Sequence, residues 1–212
     1  YMTAKEEDIL TSQTLLKKGV AIERVLQSLV KDKTIDVGSM LIGDRNAMLV
    51  AARTSAYGKW YKTTVSCPNC GEQNKKAFKL SEAEVYHGDE YQEHNVEPTE
   101  NGTYKVTLPY SKLVVECRLL TGADELSIVK HMQNKKKKKG EEGLILNQMA
   151  LYIVSVNEYT EQNVIIYTIQ NMVAADSRYL RNAVKSFTPQ LRIVNDFECN
   201  SCGYEQELEV PF

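Results

Sequence analysis

The chain has almost no surplus of charge of either sign. Its 26 Lys and Arg stand against 28 Asp and Glu, a formal net charge of −2. The molecule as a whole therefore carries no strong field for nucleic acid. Long apolar runs are missing as well: none approaches the roughly 20 residues that span a bilayer, which argues against a membrane role. No secretory leader is read in the sequence, so persistent disulfides are not expected. The first residue is Tyr rather than Met, and the expectation is that natural residues precede it. There is no Ser/His/Asp set, no phosphate-binding glycine loop and no paired carboxylates in a convincing frame, so nothing argues for catalysis. What is present, 42% hydrophobic and 25% charged residues over 212 positions, fits one large globular domain or two small ones.

Against that background the cysteines stand out. Four of the five fall into two matching knuckles, Cys67-Pro68-Asn69-Cys70-Gly71 and Cys199-Asn200-Ser201-Cys202-Gly203. Cys-x-x-Cys lets two thiolates grip one metal from a tight turn, and the following Gly supplies the left-handed position where the chain folds back. Two such knuckles predict one tetrahedral zinc held by Cys67, Cys70, Cys199 and Cys202, with no open coordination position. The rival readings are a redox pair or disulfides. A redox Cys-x-x-Cys sits at a helix N-terminus, whereas strand-like residues precede both knuckles here, Tyr61 to Val65 and Leu191 to Val194. Cys117, in Leu113-Val114-Val115-Glu116-Cys117, reads as a small buried strand residue.

The pattern around the knuckles occurs twice. A shift of 132 positions brings Asp44 onto Asp176, Ala51 onto Ala183, and Cys67, Cys70 and Gly71 onto Cys199, Cys202 and Gly203. Upstream, a shift of 118 aligns Thr3 with Thr121. The prediction is an α+β fold of two duplicated units of helices plus β-hairpins, joined in pseudo-twofold fashion by a four-cysteine zinc-ribbon-like site. The units are residues 1–80, lacking an N-terminal hairpin, and 103–212, with an acidic linker over 81–102 between them. Thr3 and Thr121 are expected as helix N-caps, and Asp44 and Asp176 as the caps of a later helix in each unit. The first helix carries Ile9, Leu10 and Leu16 in one unit and Leu126, Val129 and Met132 in the other. The second carries Ile22, Val25, Leu26 and Leu29, matched by Leu144 to Val154. Gly58 and Pro189 end the third. Val164 to Val173 stays open between helix and strand. Further hairpins are read over 103–119 and around each knuckle, the last returning through Glu205 to Val210.

Ser81 to Gly102 holds seven acids and no Lys or Arg, and is expected to be a solvated linker or a partner-binding loop. His87 and His94 within it read as exposed. Lys135 to Lys139 reads as a solvated loop, since no aromatics interleave it as a phosphate grip would have.

Several of these residues carry a family resemblance. Tyr1 to Leu10, Gly43-Asp44-Arg45-Asn46, Tyr57-Gly58, the Cys67-Pro68-x-Cys70 knuckle, Val154-Ser155-Val156 and the closing Asp196 to Gly203 resemble the baseplate hub assembly proteins of T-even-type contractile-tailed bacteriophages. The resemblance implies a structural or assembly role in the tail baseplate hub, in the host cytoplasm during assembly, and leaves open whether the protein stays in the virion baseplate or departs as a chaperone. The implied partners are other hub proteins, with the tape-measure and tube-initiation proteins as further candidates. The alternative is a zinc-ribbon nucleic-acid or transcription adaptor. Against it stand the net charge and the absence of a basic, aromatic-bearing hairpin.

Overall fold

Thr3 opens the first helix through a reciprocal cap. Its backbone N–H donates to the Glu6 carboxylate at 2.8 Å, its hydroxyl donates to the same oxygen at 2.6 Å, and its Oγ1 accepts from the Lys5 N–H. The computed structural model describes residues 2–136 and 143–209. The expected first helix is two short ones, α1 (Ala4–Thr11) and α2 (Gln13–Lys18), because Ser12 turns extended between them. Next come α3 (Ala21–Leu29), with Val25 and Leu26 fully buried as its spacing predicts, and α4 (Ile42–Tyr57). The hairpin β1 (Trp60–Ser66) and β2 (Gln73–Lys79) carries the first knuckle at its tip.

The acidic stretch that follows is not a free linker. β3 (Glu84–Tyr86) and β4 (Val96–Pro98) lie within it. β4 is the edge of an antiparallel sheet of order β4-β5-β6-β7, with β5 (Tyr104–Thr107), β6 (Val114–Cys117) and β7 (Ile153–Val156). The seven acids are all exposed, so composition reported their solvation correctly. What it did not report is the few residues that tie the backbone down. Tyr86 and Val96 are buried, and the Tyr86 hydroxyl donates to the Ser186 carbonyl. Gly88, at φ +76, lies so close to the Phe187 carbonyl that a Cβ there would sit 2.4 Å from its oxygen.

In the second half, α5 (Gly122–Lys136) starts after Thr121, whose N–H and hydroxyl both donate to Asp124, at 2.8 and 2.9 Å. The lysine-run reading falls largely outside the described residues, which omit 137–142. α6 (Leu144–Tyr152) is shorter than expected, because Ile153 to Val156 leave the helix to pair with β6. The open segment resolves as helix α7 (Gln162–Asn171), with Ile165 and Ile169 buried one turn apart. α8 (Ala174–Phe187) packs Leu180, Ala183 and Phe187 into a core with Val106, Leu108, Val115, Met149 and Ile153. Cys117, fully buried on β6, belongs to that core as expected.

The helix-cap reading of Asp44 and Asp176 is corrected. The N-caps are Leu41 and Val173, at nearly identical extended angles (φ −61, ψ 147 and φ −63, ψ 146), and each Asp lies within the first turn of its helix. The position still suits a carboxylate, because the helix dipole favours negative charge in the first turn. Asp176 spends both oxygens elsewhere, accepting the Tyr110 and Ser111 N–H groups at 2.9 Å each in the β5–β6 turn, while Asp44 is exposed.

The strand expected over Leu191 to Val194 divides into β8 (Gln190–Arg192), which pairs with β3, and β9 (Val194–Glu198), which pairs with β10 (Glu205–Glu209). A second core gathers Val50, Val65, Phe78, Leu80, Ile193 and Phe197 around the buried cysteines. Residues from both halves of the chain thus share one core.

Candidate metal centre

The site is made by two hairpin tips of the same local geometry, 132 residues apart. β1 and β2 end in register at Ser66 and Gln73; β9 and β10 end at Glu198 and Glu205. The Cys67 N–H donates to the Glu72 carbonyl at 2.8 Å and the Cys199 N–H to the Tyr204 carbonyl at 2.9 Å. Gly71 and Gly203 donate back to Cys67 and Cys199 at 2.9 and 3.0 Å, with φ of +77 and +67. A side chain would strain both positions, so the Gly after each Cys-x-x-Cys is explained by the turn.

All four sulfurs lie within 4.8 Å of one another. Two approaches link the tips: Cys67 to Cys202 at 3.8 Å and Cys70 to Cys199 at 3.7 Å. A tetrahedron of bonds of about 2.3 Å has sulfur–sulfur edges of about 3.8 Å, whereas a disulfide needs about 2.0 Å. The five cysteines are free thiols. Cys67 and Cys199 are buried and Cys70 and Cys202 exposed, so the cluster is half-sunk in its core. The donor set and spacing fit one tetrahedral metal ion.

Amides surround the sulfurs. The backbone N–H groups of Cys202 and Ser201 point at Cys199 and, with the Asn74 side chain, lower its thiol to about 6. Cys202 is lowered by the Tyr204 N–H and by Asn69. The Glu72 N–H favours the Cys70 thiolate, but the neighbouring thiol of Cys202, partial burial and the other two thiols outweigh it and push Cys70 up to about 12. Metal ligation requires thiolates, so an incoming cation would displace the protons that the crowded sulfurs retain.

Sequence reasoning named all four cysteines, and the structure brings them together. Among the described residues the metal cluster holds cysteines alone; His87 is exposed and His94 rests edge-on against Tyr179 at 5.3 Å. Two contributors were missed. Asn69 donates to Cys202 Sγ at 3.7 Å, and Asn74, 1% exposed, donates to Cys199 Sγ at 3.5 Å. The available signal was the alternation of β2, which places Asn74 on the inward face with Phe78 in a strand setting that disfavours Asn.

The outward faces of the two hairpins differ in charge. Lys62 and Lys75 project from β1–β2 beside Trp60, which is 52% exposed, and Lys79 pairs with Glu82 nearby. On β9–β10 the outward residues include Asp196, Glu198, Glu205 and Glu207, with Glu205 opposite Glu198 and Glu207 opposite Asp196. The expected absence of a basic hairpin bearing an aromatic residue is therefore corrected. A near-zero net charge conceals it, because the acidic hairpin cancels the basic one. No helix among the described residues is long and apolar enough to cross a membrane.

No curated protein and no solved structure gives a match to this chain. The family model described as T4 bacteriophage base plate protein matches residues 1–211, a span that includes both knuckles and every element described, and the chain belongs to that family.

Proposed function

We propose that the protein is a structural component of the tail baseplate hub and acts through protein–protein contacts, with zinc as its clasp. The observation that carries this reading is the convergence of Cys67, Cys70, Cys199 and Cys202, from the two halves of a base plate family chain, at tetrahedral spacing. When bound, zinc supplies a rigid cross-link and no reaction, since four thiolates leave no position for water or substrate. The matched caps at Leu41 and Val173, the equal hairpin registers and the paired Thr3–Glu6 and Thr121–Asp124 contacts support two duplicated units, 1–80 and 103–212. In this proposal 81–102 braces the second unit and presents its acids outward. The partners are other hub proteins, with the tape-measure and tube-initiation proteins next, met in the host cytoplasm and retained in the virion baseplate.

Metal analysis of the purified chain should return one zinc per chain; none, or two on separate ligand sets, would overturn the clasp. Phage lacking the gene should fail to complete baseplates, and normal particles from the knockout would remove the assembly role. The basic face with Trp60 favours one further reading, a zinc-ribbon nucleic-acid adaptor. Tight, steeply salt-dependent binding to DNA or RNA, lost on Lys62→Glu with Lys75→Glu, would favour it over the hub role.

A further inference from the structure

We propose that Asn74 is a positioning residue for the metal centre: it docks the second knuckle onto the first hairpin and steers the Cys199 sulfur to its place in the ligand set. The proposal rests on the zinc reading above. Its starting point is burial. A side-chain amide in an apolar core destabilises the fold unless its polar atoms find partners. Asn74 is 1% exposed, opposite Val65 and on the same buried face of β2 as Phe78, and both its oxygen and its nitrogen are engaged. Oδ1 accepts the Asn200 backbone N–H at 2.8 Å. Nδ2 donates to the Glu72 carbonyl at 3.0 Å and to Cys199 Sγ at 3.5 Å.

These three bonds join the two knuckles through one side chain of β2. Glu72 belongs to the first knuckle's turn, and Cys199 and Asn200 belong to the second knuckle. One side chain therefore spans more than 120 residues of sequence without any metal. The Asn200 bond holds the turn, and the sulfur bond orients a ligand atom. Lys76, two residues along β2, adds a weaker tie to the same turn, its Nζ donating to Asn200 Oδ1 at 3.2 Å.

The arrangement is one-sided. The residue 132 positions on is Gln206, on β10, and its side chain meets the Tyr204 hydroxyl at 3.4 Å. Asn69, the other side-chain donor, also reaches from the first half to a sulfur of the second, Cys202. The first hairpin thus serves as the template, and the second knuckle is the piece brought to it. N–H···S bonds favour thiolate over thiol and spread the excess negative charge of a four-thiolate set, so they tune as well as orient.

The test uses the full chain and two variants, Asn74→Ala and the isosteric Asn74→Asp. Asp keeps an acceptor for Asn200 but loses the donor to Cys199. Zinc affinity, measured by competition with a chromophoric chelator, should fall by about 10–100-fold in both variants, as for other outer partners of metal ligands. The thiolate-to-metal charge-transfer bands of the cobalt(II)-substituted chain should shift in both, a change that general destabilisation would not produce. Hydrogen exchange at the Asn200 amide should quicken in Asn74→Ala and stay slow in Asn74→Asp. Equal zinc affinity and unchanged cobalt spectra in the variants would overturn the positioning role while leaving the zinc reading intact. If the unmodified chain binds no zinc, the zinc reading and the steering of Cys199 fail together, and unchanged Asn200 exchange in Asn74→Ala would overturn the docking role too.

Discussion

Two carboxylates carry stability that acid should remove. Asp124 takes two bonds from Arg118, at 2.8 Å each, and two from Thr121. The Arg118 bonds are the leading cause that lowers it from 3.8 to about 2. A carboxylate depressed in the folded state stabilises fully above its unfolded pKa and loses that contribution as pH falls through the folded one. The window for Asp124 is therefore about pH 4 down to about pH 2. Arg118 is over a third exposed, so solvent screening limits the contribution to about 1–2 kcal/mol. Asp124→Asn should lose that amount at neutral pH in urea denaturation, and the two proteins should converge near pH 2; parallel curves across the window would refute the linkage. Asp176 is fully buried, and its bonds from Ser111 and Tyr110 outweigh the burial that opposes its ionisation. Asp176→Ala leaves two turn amides without acceptors, and should cost about 2–4 kcal/mol. If instead the loss is under about 0.5 kcal/mol, water replaces the carboxylate at no penalty.

At the level of elements, the second hairpin is built against its own stability. Glu205 faces Glu198 and Glu207 faces Asp196 across the strands, and like charges directly opposite are unfavourable. The matching position to Glu207 on the first hairpin is Lys75. Glu207→Lys should raise stability by about 0.2–1 kcal/mol, roughly 1–4 °C in melting temperature, with a smaller gain in high salt. A melting temperature that is lower, or unchanged at low salt, would mean the pair is already relieved. The hairpins and the Gly turns were legible in sequence because they obey local rules: alternation, positive φ and metal-ligand spacing. The helix starts at Leu41 and Val173 were not. Their caps make no side-chain bond, and the start of α4 is fixed from outside by the Ile42 N–H donating to the Leu120 carbonyl. β3 and β4 were hidden for a similar reason, since three-residue strands among seven acids have no periodicity to read. The alternation of β2 marks Asn74 as inward, but not its role, because Cys199 and Asn200 lie across the fold.

For the whole molecule, the question is how much of its unity depends on the metal. The two halves are tied elsewhere as well. Leu41 bridges Thr121, Arg45 reaches Glu125 at 3.0 Å, and β3 pairs with β8. The sheet β4–β7 and its helices form a core with no cysteine ligand in it. Loss of the proposed clasp should therefore loosen one end of the protein without unfolding the other. In Cys199→Ser, amide exchange across β1–β2 near Cys67 should quicken by at least about tenfold, because binding of a structural metal is coupled to the fold that assembles its ligands. The same loosening should follow chelation of the unmodified chain. Exchange in β5 and β6, around Val106 and Val115, should change little. If β1–β2 stays fully protected in the mutant, the two knuckles do not share a metal. If β5–β6 exchange rises as much as β1–β2, the clasp governs the whole fold and the protein is a single cooperative unit.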